Sequence, residues 1–472
     1  MMAEKESKAT KELRDKVTRE PVRVWDTLSE KDKKAAQRFA EQYRNFLNEA
    51  RTERRAASIM VREAEKAGFV ELGTKRKKGA GYYQLLRGKL LAMAIPGKKP
   101  MTEGIRLIAA HTDSPRLDLK PHPVYEDTDL AYFKTHYYGG LRKYHWVSRS
   151  LALVGTVALK DGKIVEVEYG LKPDQPILVI PDLLPHLGRK MMEKKASEFI
   201  PAENLNVLIG GEPVGDKKAE SRVKLKVLEI LHREFGITEE DFISGELQIV
   251  PAEPARDAGL DGSFIAGYGQ DDRVCVYAVF SALMETNRPD ETCVAFFFDK
   301  EEIGSEGSTG AQSRFLEMFL TDLLEQTGTE PTLTNLNRVF LNVRGLSADV
   351  NAAFDPTYAD VFDKRNACRV GFGVSIKKYT GHGGKYSASD ANAEYVGWVR
   401  DLLNANGIVW QTGGMGKVDE GGGGTVAKFL AKLGMEIVDI GPPLLGMHSP
   451  LEVVGKDDLW MCRRAFGAFY GK

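Results

Sequence analysis

The sequence predicts an α/β fold, a mixed sheet with helices on both faces, carrying an inserted β-rich domain. Three observations predict it. Apolar strand-like runs mix with helical periodicity before residue 116 and again past Gly267, the pattern of a sheet covered on both sides. Between these stretches the texture shifts to alternating apolar and polar residues, as in strands with one wet face. The 472 residues also exceed what one hydrophobic core usually organises, so two domains, or one with an insertion, are expected. The boundaries read as 1–115 and 257–472 for the two parts of the main domain and 116–256 for the insertion.

Taken in order, a helix begins at Ser29, with Asp32 making a near capping box and Phe39, Tyr43, Phe46 and Leu47 on one face. A second helix over 56–67 stops at Gly68. Strands follow at 89–95 and 106–110, the latter apolar enough for a buried central strand and ending on His111. In the insertion, Asp161-Gly162 predicts a two-residue hairpin. Strands at 165–169 and 177–180 and an amphipathic helix at 221–235 complete that region. Past Gly267 the spacing predicts helix 272–286, strand 292–298, helix 311–326 and strand 338–343. Helix 390–405, strand 408–411, helix 425–433, strand 435–440 and a last helix follow.

Composition excludes several function classes. Lys plus Arg (66) nearly cancels Asp plus Glu (67), which removes the basic footprint of a nucleic-acid binder. Nothing approaches the roughly 18 apolar residues of a membrane span, and residues 1–23 are charged, without the apolar run of a secretion signal. Cytoplasm is the expected compartment. Cys275, Cys293, Cys368 and Cys462 lie far apart with no Cys-x-x-Cys clip, so they are expected to be reduced thiols in or near the core.

Five motifs bearing acids or histidines sit where predicted strands end and loops begin, the place where ligands bind on open α/β sheets. His111-Thr-Asp113 directly follows the buried strand, and Asp113 can orient the imidazole of His111. Asp271-Asp272 heads a helix, where acids also serve simply to complement its dipole. Glu301-Glu302 follows the run Phe296-Phe297-Phe298, and neighbouring carboxylates that point different ways can divide metal binding from proton transfer. Asp349 and His448 follow two further strands. Two divalent ions need a bridging carboxylate and about one histidine and one carboxylate each. His111, Asp271, Glu302, Asp349 and His448 supply that set. Nitrogen and oxygen ligands without thiolate suit zinc, and would also accept cobalt or manganese.

The ordered series His-Thr-Asp-Ser-Pro, Gln-Asp-Asp-Arg, Asp-Lys-Glu-Glu-Ile-Gly-Ser, Ser-Ala-Asp and Met-His-Ser resembles the aspartyl aminopeptidase and vacuolar aminopeptidase I family of metallopeptidases, from about Lys31 to Tyr470. The resemblance implies a zinc aminopeptidase-like fold and removal of N-terminal residues from peptide substrates. It implies two Zn2+ per subunit, His111 and Asp349 completing one site, Glu302 and His448 the other, and Asp271 bridging. Glu301 would be the general base, Asp113 would hold the tautomer of His111, and the Asp271-Asp272 peptide would be cis. The insertion would be a dimerisation domain, and the assembly a homo-oligomer, a tetrahedral dodecamer built from dimers. His186, in Leu184-Pro185-His186-Leu187, would reach a neighbour's active site and stabilise the oxyanion.

Some positions depart from that family. Asp272 stands where relatives usually carry Asn, adding negative charge beside the metals. The run Gly421–Gly424 lacks the Gly-Lys-Ser/Thr of a phosphate loop and reads as a place of close backbone approach to substrate. Lys377, Lys378 and Lys385 lie near the segment where the aspartyl branch carries a basic residue for an acidic side chain. Two rival functions remain from sequence: a related dinuclear zinc carboxypeptidase or deacylase, and a non-catalytic peptide-binding shell protein.

Overall fold

The structure is a computed structural model and describes residues 7–73 and 80–471. Among these residues the main sheet has nine strands. Its centre is three parallel neighbours: Thr292–Phe298, Ile105–His111 and Val343–Ala348. Glu436–Gly441 continues the parallel run, while Leu90–Ile95 and Val374–Lys377 flank it antiparallel, so the sheet is mixed.

Every residue of Thr292–Phe298 is buried. Val294, Phe296 and Phe298 enter one core, and Cys293, Ala295 and Phe297 enter the other. A strand with apolar layers on both faces must read as a continuous apolar run, which is why it was legible. One core is closed by Glu30–Glu49, Gln270–Met284, Ala393–Ala405 and Lys456–Phe469, the other by Phe315–Gln326 and Leu333–Leu341. The helix beginning at Ser29 forms as expected: the Ser29 side chain accepts from Asp32 N, and Phe39, Tyr43, Phe46 and Leu47 are all buried. Each large apolar side chain so enclosed contributes roughly 1.5–3 kcal/mol.

Between Arg116 and Pro251 an antiparallel sheet forms, with Gly245–Pro251 lying between Leu151–Ala158 and Arg116–Asp127. Helix Arg222–Phe235 covers it through Val223, Val227 and Leu231. A smaller sheet joins chain-distant pieces: Phe264–Gly267 pairs with Glu452–Gly455, which pairs with Pro443–Leu445, which pairs with Asn351–Ala352. It thereby gathers the segments flanking Asp271, Asp349 and His448.

Several local expectations are corrected. The hairpin turn closes at Leu159, where Gly162 N–H donates to the Leu159 carbonyl at 2.8 Å. Lys160 and Asp161 are its central residues, and Gly162 follows with φ +83°, a three-residue loop rather than a two-residue one. Residues 177–180 make only isolated bridges, Leu178 to Leu151 and Val179 to Leu208. The strand expected over 338–343 starts only at Val343 and runs to Ala348, and 338–341 are the end of helix Leu333–Leu341. Thr332 caps that helix, and Leu336, Val339 and Phe340 recur at helical spacing on its buried face, which outweighs the β propensity of the run. The helix expected at 425–433 shrinks to Ala427–Ala431, and the chain turns at Gly434 with φ +88°. Among the described residues no helix is long and apolar enough to cross a membrane. All four cysteines are buried free thiols.

Candidate metal centre

The three central parallel strands deliver their candidate side chains from the same end. His111 is the last residue of its strand, Glu301 and Glu302 follow Phe298, and Asp349 follows Ala348. Asp271 arrives from the start of Gln270–Met284, where Asp271 and Asp272 leave helical geometry and the peptide between them is cis. His448 arrives from the loop after Pro443–Leu445.

These side chains converge. Asp271 Oδ1 lies 3.3 Å from His111 Nε2, and Asp271 Oδ2 lies 3.3 Å from His448 Nε2. Glu302 Oε2 is 3.4 Å from the same His448 nitrogen. His111, Asp271 and Glu302 present ligand atoms within 4.8 Å of one another, and so do Asp271, Asp272 and Asp349. Asp271 belongs to both groups. Asp272, which the sequence suggested only as added charge, stands within the second.

The donor set fits a divalent cation. Asp272 Oδ1 and Glu302 Oε1 are buried without a hydrogen-bond partner among the described residues, a costly state for carboxylate oxygens that a bound cation relieves. Titration behaviour reports the same crowding. Burial, reinforced by Asp271, pushes the Glu302 carboxyl well up, and burial raises Asp349 despite the Lys377 ammonium. Burial also takes Glu301 up to about 8, with His111 opposing. Asp271 goes the other way: burial disfavours its charge, yet His111 and His448 hold it well below the usual carboxylate range. Acids packed this densely cannot all ionise without added positive charge.

Both imidazoles are aimed by their second nitrogen. His111 Nδ1 lies 3.1 Å from the Asp113 carbonyl and 3.3 Å from Asp113 Oδ1. The Asp113 carboxylate also accepts the backbone N–H groups of Glu301 (3.1 Å) and Glu302 (3.2 Å) and the Tyr138 hydroxyl (2.8 Å). His448 Nδ1 sits 2.7 Å from the Gly140 carbonyl, which reaches in from the inserted region. Such outer contacts set which ring nitrogen faces a metal.

A cavity of about 760 Å3 opens over the cluster, lined by His111, Asp271, Glu301, Glu302, Asp349 and His448. Gly421 to Gly424 also line it. There Gly422–Gly423 pairs with Gly381–His382, and a Cβ on Gly422 would come within 2.5 Å of the Gly381 carbonyl, so these glycines permit two backbones to touch. Lys377 is buried, donating to the Val350 carbonyl at 2.9 Å and lying 3.7 Å from Asp349 Oδ1. Burial opposes its charge, but Asp349 and Asp439 outweigh burial and raise it. Lys378 and Lys385 are exposed and pair with Asp390. His186 lies on an exposed loop outside this cavity.

Two residues with evident roles went unread. Tyr138 braces Asp113, and Glu452 accepts backbone N–H groups from both Asp271 and His448. The one available signal for Glu452 was an acid opening the apolar strand Glu452-Val-Val-Gly455.

The family profile described as Aminopeptidase I zinc metalloprotease (M18) matches residues 46–470. A protein of Borrelia garinii named probable M18 family aminopeptidase 1 is 45% identical over 451 residues, covering 94% of this chain and 98% of that one. The crystal structure of an M18 family aminopeptidase from Thermotoga maritima superposes with a TM-score of 0.91 at 43% identity, covering 96% of this chain and 99% of that one. A Saccharomyces cerevisiae structure described as an mApe1 dodecamer shares the fold at 20% identity and a TM-score of 0.73, covering 91% of this chain and 96% of that one. A profile match across nearly the whole length, on a chain whose histidines and carboxylates meet in one buried cluster, has a single reading: this chain belongs to the M18 aminopeptidase family of zinc metalloproteases.

Proposed function

We propose that the protein removes N-terminal residues from peptides with two zinc ions per subunit, held by His111, Asp271, Glu302, Asp349 and His448. The observation that carries this reading is the placement of Asp271, with one oxygen 3.3 Å from each imidazole. A carboxylate so placed suits a bridge, with His111 and Asp349 on one side and Glu302 and His448 on the other. Cobalt or manganese would satisfy the same donors.

Bound there, zinc supplies Lewis acidity and a water of lowered pKa. Glu301 takes the proton from the attacking water and passes it to the leaving amine. Its carboxyl lines the cavity together with Glu302 and both histidines, which supports that role, because a general base must stand within reach of the water it deprotonates. Asp113 orients His111 and holds the Glu301-Glu302 turn. The test is Glu301→Gln on metal-analysed protein with an aminoacyl anilide. Zinc content should be unchanged and turnover should fall by about 10²–10⁴-fold; retained turnover would reject the assignment.

The inserted region, 116–256, is proposed as a dimerisation domain within a tetrahedral dodecamer, with His186 serving a neighbour's site. Leu183, Leu184 and Leu187 are exposed beside His186, which supports a contact with a second copy. The free thiols support a reducing, cytoplasmic compartment.

A further inference from the structure

We propose that Glu452 is a positioning residue that fixes the backbones of Asp271 and His448 against each other and so sets the geometry of the zinc site. This rests on the two-zinc reading above. Glu452 is 1% exposed and stands 181 positions from Asp271 in the chain. Its Oε2 accepts the N–H groups of Gln270 (2.6 Å) and Asp271 (3.1 Å), and its Oε1 accepts the N–H of His448 (2.8 Å). Both oxygens are therefore turned to backbone donors, and the carboxylate acts through the ligands instead of as one.

The contacts around it make the clamp rigid. The Gln270 side chain donates to the Glu452 carbonyl (2.6 Å) and the Ile265 carbonyl (3.1 Å). The strand carrying Glu452 pairs with Phe264–Gly267, which leads into Asp271. On its other side the Asp271 carbonyl accepts the Ser114 hydroxyl at 2.7 Å. Asp271 is thus pinned at both its N–H and its carbonyl, leaving the side chain to place one oxygen at each histidine. His448 has φ +65°, a conformation that a non-glycine residue holds only when its surroundings impose it. Glu452 at its N–H and Gly140 at its ring supply that constraint. Three backbone N–H donors converge on this one buried carboxyl, so it can hold the Asp271 and His448 segments at a set separation.

The experiment compares Glu452→Gln and Glu452→Asp with the parent by zinc competition against a chelator, zinc stoichiometry, and the thermal midpoint of the metal-free protein. In Glu452→Gln the amide NH2 faces backbone donors. Zinc affinity should fall about 10–100-fold, and excess zinc should restore turnover at unchanged KM. Parent-like zinc affinity in folded Glu452→Gln overturns the proposal, as does a lost thermal midpoint with no weakening of zinc. If Glu452→Gln does not fold, Glu452→Asp decides: at least about tenfold weaker zinc supports the clamp, and parent-like affinity overturns it. His111→Ala and His448→Ala run alongside. If these also keep parent-like zinc, the metal-site reading itself has failed; if they lose zinc while the Glu452 variants do not, only the clamp has.

Discussion

Lys377 and Asp349 form an ion pair inside the protein, with Nζ 3.7 Å from Oδ1 and Lys377 only 2% exposed. Removing the ammonium would leave Asp349 among the other acids of the cluster with no fixed cation. Lys377→Met should therefore lower the stability of the metal-free protein by about 3 kcal/mol. Zinc should recover part of the loss, because it restores positive charge at Asp349. Denaturant unfolding with and without zinc checks both statements.

Asp113 collects two backbone N–H groups, a tyrosine hydroxyl and the Nδ1 edge of His111. Asp113→Asn would turn an amide donor toward at least one of those donors. Zinc affinity should drop about 10–100-fold, read by chelator competition; parent-like binding would remove Asp113 from the support of the site.

His186 is exposed and lies outside the cavity of its own chain. If it completes a neighbour's site, His186→Phe should reduce turnover by about 10²-fold, the loss typical of one oxyanion donor, while sedimentation shows the assembly intact. Full activity in an intact assembly would leave His186 without a catalytic role.

Glu53 opens helix Glu53–Lys66, is 3% exposed, bonds the Gln248 amide at 3.0 and 3.1 Å and faces Arg116 at 3.7 Å. Burial works against its charge, but Arg116 and Gln248 prevail and hold its carboxyl below the ordinary value. A lowered folded pKa gives stabilisation that is fully present above the unfolded value, about 4.3, and is lost as pH falls through the folded one. Glu53→Gln should be less stable at pH 7 and should show a shallower loss below about pH 4.3. Urea midpoints taken from neutral to acid pH would reveal it.

Much of this was written in local patterns. Strand Thr292–Phe298 and strand Ile105–His111 were readable because burial on both faces demands an unbroken apolar run. The acids and histidines just after such runs stood out because a charged group there must leave the sheet or find a partner. Local pattern misled where two propensities competed: the β-branched and aromatic residues ending Leu333–Leu341 suggested a strand, and only packing of Leu336, Val339 and Phe340 made them helical.

By itself, then, the sequence determined the α/β class, the resemblance to the aspartyl aminopeptidase and aminopeptidase I family, and the candidate set His111, Asp113, Asp271, Glu301, Glu302, Asp349 and His448. Tertiary structure alone decided which lysine is buried and what holds the clustered histidines and acids in place. Lys377 and Lys378 are neighbours in sequence, but Lys377 ends the strand Val374–Lys377 facing Asp349 while Lys378 turns outward to Asp390, since successive side chains on a strand point to opposite sides. Glu452 meets Asp271 across 181 positions, and a contact of that span is made by the pairing of two chain-distant strands in one sheet, which leaves no periodicity near either residue to read.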